Sequence, residues 1–163
     1  MKKIRRKGNK SNSLRFGKNI IKIRRAREAD LDRIVKISTS VREIENYSGQ
    51  QMTREDFLQF VRSRTALMFV AEVNGETIGY ITVYKAGNYF YLPYAVVDRH
   101  WRGQGVGGAL LKYVEGLAQK AGAEYILMSV YKDNSKVHSI LKLHGYKASR
   151  ELIQYSKVIK GKK

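Results

Sequence analysis

An apolar run, Tyr94-Ala95-Val96-Val97, leads through Arg102-Gly103-Gln104-Gly105-Val106-Gly107-Gly108 into Leu110, Leu111, Val114, Leu117 and Ala118 at helical spacing. A strand that feeds a helix through a glycine-rich turn constrains the fold more than any other feature of this chain. It places backbone N–H groups at a helix N-terminus, where they lack intrahelical partners and carry partial positive charge. Glycines remove the Cβ atoms that would hold an anion off that backbone. The junction predicts a cradle for a phosphate-bearing ligand.

Spacing narrows the ligand. A nucleotide P-loop needs Lys-Ser or Lys-Thr after its last glycine, and Gly108-Ala109 stands there instead. A dinucleotide fingerprint needs Gly-x-Gly-x-x-Gly and an acid closing the next strand, whereas Gly103-x-Gly105-x-Gly107 lacks that spacing and Glu124 precedes its strand.

Periodicity orders the remaining elements. Lys18 to Arg25 reads as a strand, and Asp30 to Ile44 as an amphipathic helix through Leu31, Ile34, Val35, Ile37, Val41 and Ile44. Thr53 with Asp56 opens a short helix carrying Phe57, Leu58 and Val61. Leu67 to Val73 and Thr77 to Tyr84 flank Asn74-Gly75, a dipeptide that favours a two-residue hairpin because both positions accept positive φ. Tyr89 to Val97 is then the fourth strand and Glu124 to Val130 the fifth, with a helix over 105–121 between them. A helix from Asn134 to His144 and a closing strand or hairpin from Tyr146 to Ile159 complete the chain. The only proline, Pro93, falls in the fourth strand; lacking an N–H, it signals a bulge or splay if that strand is central and an edge if it is not.

Composition bounds the class. A chain of 163 residues predicts one domain, and the absence of cysteine excludes both a disulfide framework and a Cys acyl-enzyme. No apolar stretch approaches the length of a membrane span, and the basic N-terminus lacks the apolar centre of a secretory signal, so a cytoplasmic location is expected. The formal charge of +18 is unevenly placed. Residues 1–27 hold 12 Lys/Arg and no acid, residues 157–163 hold 4 Lys and no acid, and residues 28–156 hold 16 Lys/Arg against 14 Asp/Glu. The basic character belongs to the two ends of an almost neutral body.

Val97-Asp98-Arg99-His100-Trp101-Arg102-Gly103-Gln104-Gly105-Val106-Gly107 resembles the strand-to-helix segment of the GCN5-related N-acetyltransferase (GNAT) family, with Arg99 where that family usually has proline. Asn134, Val137, Ile140 and His144-Gly145-Tyr146 resemble its second block, Asn-x-x-Ala-x-x-Leu-Tyr-x-x-x-Gly-Phe. The resemblance implies an α/β (α+β), acyl-CoA N-acyltransferase-like fold. It would have a mixed central sheet of six to seven strands with splayed strands four and five, flanked by about four helices. On this reading residues 1–20 are a basic arm, 21–159 a single GNAT domain and 160–163 a basic C-terminal end.

The same resemblance implies acetyl-coenzyme A as acyl donor. Its diphosphate would lie on Gly103, Gln104, Gly105, Val106, Gly107 and Gly108 with support from Arg102, and its pantetheine arm would enter the splay that Pro93 marks, against the backbone of Ala95, Val96 and Val97. A backbone N–H around Val96 would polarise the thioester carbonyl. Asn134 has two compatible readings, a hydrogen bond to the cofactor or an ordered water, and an N-cap for its own helix.

Two departures bear on proton transfer. Leu141 stands four residues before Gly145, where many family members carry a tyrosine, and Tyr91 stands eleven before Arg102, where many carry a glutamate. Tyr91, Tyr94 and Tyr131 are the remaining hydroxyl candidates, although with 11 tyrosines in the chain each also reads as packing. His100, His138 and His144 lack metal-ligand spacing, so no metal is expected.

The acceptor region implied by the fold, Ile44 to Met52 and Arg150 to Ser156, offers only Glu45 and Glu151 as acids. Polycationic acceptors are disfavoured and a protein, peptide or small-molecule amine fits better. The arm with Lys2, Lys3, Arg5, Arg6, Lys7 and Lys10 reads as a nucleic-acid or ribosome contact, a solubilising tail or a transit peptide. The expectation is an acetyltransferase acting on a primary amine, with a homodimer among its possible assemblies. The alternative is a catalytically degenerate coenzyme A-binding or nucleic-acid-associated module of the same fold.

Overall fold

The computed structural model describes residues 13–16, 19–41, 50–149, 155 and 157. In chain order the strands are β1 Ser13–Phe16, β2 Asn19–Arg25, β3 Ala66–Val73, β4 Glu76–Ala86, β5 Tyr89–Leu92, β6 Ala95–Val97 and β7 Tyr125–Met128. The α-helices are α1 Leu31–Ser38, α2 Arg54–Arg62, α3 Val106–Lys120 and α4 Ser135–Leu143. The strands form one mixed sheet in the order β1-β2-β3-β4-β5-β7, with β6 also paired to β4. Strand β1 lies within the segment that the sequence assigns to the basic arm, so the sheet starts before residue 21.

Two apolar layers sandwich the sheet. Leu31, Ile34 and Ile37 of α1 and Phe57 and Phe60 of α2 pack with Met68, Val70, Tyr80 and Val96 on one face. Val106, Ala109, Leu110, Leu111, Val114 and Ala118 of α3 pack with Ile81, Val83, Phe90 and Leu92 on the other. The spacing of these helical residues is the period that carries one stripe into a core. Helix α1 ends sooner than its apolar period suggests: after Ser38 the bonding tightens to three-residue turns, Ser40 N–H to Ile37 O and Val41 N–H to Ser38 O. Ile44 lies outside the described residues.

Helix α2 is set by its N-cap as expected. Thr53 accepts from the Asp56 N–H while the Asp56 carboxylate accepts from the Thr53 N–H. The β3–β4 hairpin turns on Asn74 and Gly75 with φ of 49° and 84°, the left-handed pair that matches strand twist. The closing strand expected after Tyr146 falls mostly outside the described residues, and residues 146–149 are irregular.

The fourth strand of the sequence reading is two strands. Tyr84 faces Tyr91 across β4 and β5, whereas Ile81 faces Ala95 across β4 and β6, so the register slips by one residue through Pro93–Tyr94. That slip is a β-bulge, and proline is tolerated there because no ladder bond is asked of it. Before the bulge, β5 pairs in parallel with β7, Tyr89 with Tyr125 through Leu92 with Met128. After it, β6 pairs with β4 alone, and the sheet opens between β6 and the chain that follows β7. The splay inferred from Pro93 is therefore present, and it opens toward the glycine loop.

Candidate donor-binding site

The loop begins at Asp98, which is buried and tied from three directions. Its N–H donates to Ile78 O at 2.9 Å, its Oδ1 accepts from the His100 N–H at 2.9 Å, and its Oδ2 accepts from Arg33 Nη2 of α1 at 2.7 Å. Burial pushes this carboxyl upward, but the His100 N–H bond and the Arg33 charge more than offset it, and its pKa lies below the usual value. Arg33 also reaches Thr77 O and Glu76. Sequence reading did not single out Asp98; the signal was an aspartate directly after an apolar strand, where its side chain can cap the following turn.

Gly103 and Gly105 take φ of 74° and 75°, and Gly105 is the N-cap of α3. These left-handed values are open to glycine at little cost. The first α-helical bond of α3 is Ala109 N–H to Gly105 O at 2.9 Å, so the N–H groups of residues 106–108 precede the intrahelical ladder. Gln104 donates to His100 O at 3.0 Å, which braces the turn from within. Arg102 is exposed, and its Nε donates to Val97 O at 3.0 Å, binding the loop to the last residue of β6. That bond engages Nε, one of several donors of the guanidinium. The residues present fit a diphosphate: two left-handed glycines, a helix N-terminus and a cation on one turn.

Gly107 and Gly108 differ from the glycines before them. A Cβ on Gly107 would meet Val97 at 3.8 Å, an ordinary contact. On Gly108 it would lie 2.9 Å from His144 Nε2. Gly108 is thus small because the end of α4 packs against α3 there. His144 Nδ1 in turn faces Glu115 at 3.8 Å. Tyr146 lies beside that carboxylate, and burial together with the charge of Glu115 raises its phenol above the usual range.

The three backbone candidates on β6 divide by direction. Thr82 N–H donates to Tyr94 O and Asp98 N–H donates to Ile78 O, so residues 94, 96 and 98 turn their main-chain groups toward β4. Ala95 and Val97 turn theirs toward the open side. Val96, expected from the resemblance to polarise a carbonyl in the gap, points at Tyr80 instead, and its side chain is buried against α1 and α2. The gap-facing N–H groups belong to Ala95 and Val97, while Val97 O is already held by Arg102.

Asn134 caps α4, its Oδ1 accepting from the Val137 N–H at 3.3 Å, so the N-cap reading holds. The hydroxyl candidates stand on three different segments. Tyr91 stands on β5 opposite Tyr84; Tyr94 sits in the bulge with its ring 6.5 Å from Phe60; Tyr131 is exposed in the loop before α4. It is Tyr131 O, not its phenol, that accepts from the Asn134 N–H. Leu141 is buried in the α3–α4 core. His100 is exposed beside Asp98, Trp101 packs against the core, and His138 contacts Tyr131 O. Among the described residues no group of three or more His, Cys, Asp or Glu could hold a metal, and no helix is long and apolar enough to cross a membrane. Of the expected acceptor stretches, 44–49 and most of 150–156 lie outside the described residues, while Met52 is buried in the core.

Comparison with known proteins agrees with this geometry. Residues 31–146 match the model of the acetyltransferase (GNAT) family. An N-alpha-acetyltransferase of Sulfurisphaera tokodaii is 31% identical over 147 residues, covering 82% of this chain and 84% of the relative. An uncharacterized N-acetyltransferase of Bacillus subtilis, YhfO, is 26% identical over 140 residues, covering 82% and 94%. In fold the chain is similar to the PaiA N-acetyltransferase of Thermoplasma acidophilum, solved in complex with coenzyme A, with a TM-score of 0.70, 21% identity, and 79% and 91% of the two chains covered. With the glycine cradle, the bulged strand and the open edge of β6 all in place, the chain belongs to the GNAT family of acetyltransferases.

Proposed function

We propose that this acetyltransferase moves an acetyl group from acetyl-coenzyme A to the primary amine of a protein or peptide by direct attack. The observation that carries the reading is the continuity of the Gly103–Gly105 cradle with the gap-facing edge of β6. One bound molecule would span a diphosphate site and a strand-like groove. Acetyl-coenzyme A supplies an activated thioester carbonyl.

The chain's own groups do the rest. The N–H groups of residues 106–108 and the Arg102 guanidinium bind the diphosphate. The N–H and C=O of Ala95 and the N–H of Val97 align the pantetheine amides as a neighbouring strand would, and one of those N–H groups faces the oxygen on which charge develops. Asn134, its Oδ1 engaged as a cap, keeps its amide hydrogens for a bond to the cofactor or an ordered water. With Leu141 in the core, proton transfer falls to water or to one of the phenols of Tyr91, Tyr94 and Tyr131.

The protein or peptide acceptor is supported by the scarcity of carboxylates in the acceptor stretches of the sequence. The polybasic run of the arm, Lys2, Lys3, Arg5, Arg6, Lys7 and Lys10, would add a phosphate-binding contact to nucleic acid or the ribosome, and the setting would be cytoplasmic.

Calorimetric titration with acetyl-coenzyme A tests the donor, and absence of binding at micromolar concentration removes the reading. A screen over peptide N-termini, lysine peptides and small amines tests the acceptor; a chain that binds the donor and acetylates none of them is a coenzyme A-binding module. Comparing RNA affinity of the full chain and a chain lacking residues 1–12 across salt tests the arm, which fails if the two are equal.

A further inference from the structure

Thr82 lies in the middle of β4, fully buried, directly across from the bulge. In a regular antiparallel hydrogen-bonded pair, Thr82 and Tyr94 would exchange two main-chain bonds. One is present: Thr82 N–H donates to Tyr94 O at 2.8 Å. The other is carried by the side chain, because Tyr94 N–H donates to Thr82 Oγ1 at 3.1 Å, and the same hydroxyl donates back to Tyr94 O at 3.2 Å. One hydroxyl therefore serves both main-chain groups of the bulge residue. Pro93, just before it, has no N–H to offer.

We propose that the Thr82 hydroxyl is the positioning group that fixes the Pro93–Tyr94 bulge and thereby aims the gap-facing backbone of Ala95 and Val97 at the donor's arm. The chemistry restricts the position. A group that accepts from one atom of Tyr94 and donates to another must be a hydroxyl on a short side chain, which leaves Thr and Ser. Valine has the same shape and can do neither. Where the N–H of Tyr94 finds no Oγ1, the residue rotates to reach a main-chain carbonyl, and the register slip that separates β6 from β5 relaxes. Gly79, three residues upstream, completes the arrangement: a Cβ there would lie 2.9 Å from Val96 O, so its absence lets β6 close onto β4 after the bulge.

This inference rests on the acetyl-coenzyme A reading for its functional half, and the test keeps the two apart. Binding of acetyl-coenzyme A and of ADP is measured by calorimetry on the full chain, on Thr82→Val and on Thr82→Ser. ADP engages only the glycine cradle, so a general loss of structure weakens both ligands, whereas a misplaced β6 weakens only the one with an arm. The expected result is that Thr82→Val loses about tenfold or more in acetyl-coenzyme A affinity with ADP affinity unchanged, and that Thr82→Ser stays within about threefold of the parent.

A packing role for the Thr82 methyl gives the opposite order, with Val harmless and Ser impaired, and that order overturns the proposal. Should Thr82→Val fail to fold, hydrogen exchange of the Tyr94 amide carries the test: slow exchange in the parent and in Thr82→Ser is expected, and fast exchange in the parent overturns it. If the parent itself does not bind acetyl-coenzyme A, the donor reading fails, while the Tyr94 amide still reports whether Thr82 holds the bulge.

Discussion

The Arg33 guanidinium of α1 and the Asp98 carboxylate at the end of β6 meet at 2.7 Å, so the helix on one face of the sheet is tied to the start of the glycine loop. Arg33 also bonds Thr77 O of β4, which makes it a clamp on three elements. A second clamp holds the start of the same helix, where Arg24 forms two bonds to Asp30 at 2.7 and 2.8 Å and Thr77 Oγ1 adds a third at 3.0 Å.

These carboxylates predict an acid-labile fold. Both Asp30 and Asp98 have folded pKa values below the usual one; in each, burial raises the pKa and hydrogen bonds and arginine charge lower it further. A depressed folded value means stability fully present above the unfolded pKa of about 3.9 and lost as pH falls through the folded value. Thermal melts at stepped pH should show a falling Tm below about pH 4. Asp98→Asn should cost about 2 kcal/mol at neutral pH, with its deficit relative to the parent shrinking as the acid side is entered. A deficit that is the same at every pH would refute the assignment.

Arg102 should matter to the donor more than to the fold. Its side chain is exposed and its side-chain bond among the described residues goes to Val97 O, so Arg102→Ala should leave stability within about 1 kcal/mol of the parent. Loss of a charged partner for the diphosphate should weaken acetyl-coenzyme A by about tenfold to a hundredfold in a calorimetric titration. Arg102→Lys should recover only part of this, since an ammonium lacks the planar fork by which Nε bonds Val97 O while other N–H groups pair bidentately with a phosphate.

Two glycine-to-alanine changes separate crowding from backbone conformation. At Gly79 the new Cβ would lie 2.9 Å from Val96 O and 3.3 Å from Val97 Cα, main-chain atoms that cannot swing aside, and overpacking of this kind costs about 1–3 kcal/mol. At Gly103 nothing lies within 4 Å of the new Cβ, and only the φ of 74° is penalised, by about 1–2 kcal/mol. Chemical denaturation gives both costs. Donor binding gives the contrast, with Gly103→Ala disturbing the ADP portion and Gly79→Ala the arm.

Beneath the splay, Tyr80 and Ser38 form a buried hydroxyl pair at 2.8 Å, with Ser38 Oγ also donating to Ile34 O. Burial holds the Tyr80 phenol well above its usual pKa despite the Ser38 bond, so it stays neutral throughout the working range. Tyr80→Phe and Ser38→Ala should each cost about 1–2 kcal/mol, and the double mutant should cost less than the sum by about 1 kcal/mol. Strict additivity in denaturant unfolding would show that the pair is not coupled.

Much of this architecture was legible in residue order. The hairpin at Asn74-Gly75, the Thr53–Asp56 cap and the glycine turn before α3 depend on conformations of a few adjacent residues, which local chemistry dictates. Pro93 announced an interruption for the same reason. What it could not reveal was which way the backbone faces after the interruption. That one-residue slip assigns the open edge to Ala95 and Val97 and turns Val96 inward, and it is fixed by a hydroxyl twelve residues away on another strand.

The sequence by itself determined the order of elements, the glycine-rich turn before α3 and the family, because each is written in short-range spacing of glycine, apolar and capping residues. Only the tertiary structure decided the roles of Asp98, Thr82, Gly79 and Gly108, and the inward turn of Val96. Each of those depends on an atom brought close from a distant part of the chain, Arg33, Tyr94, Val96 and His144 among them, and such contacts come into being only when the sheet and its two helical layers close together.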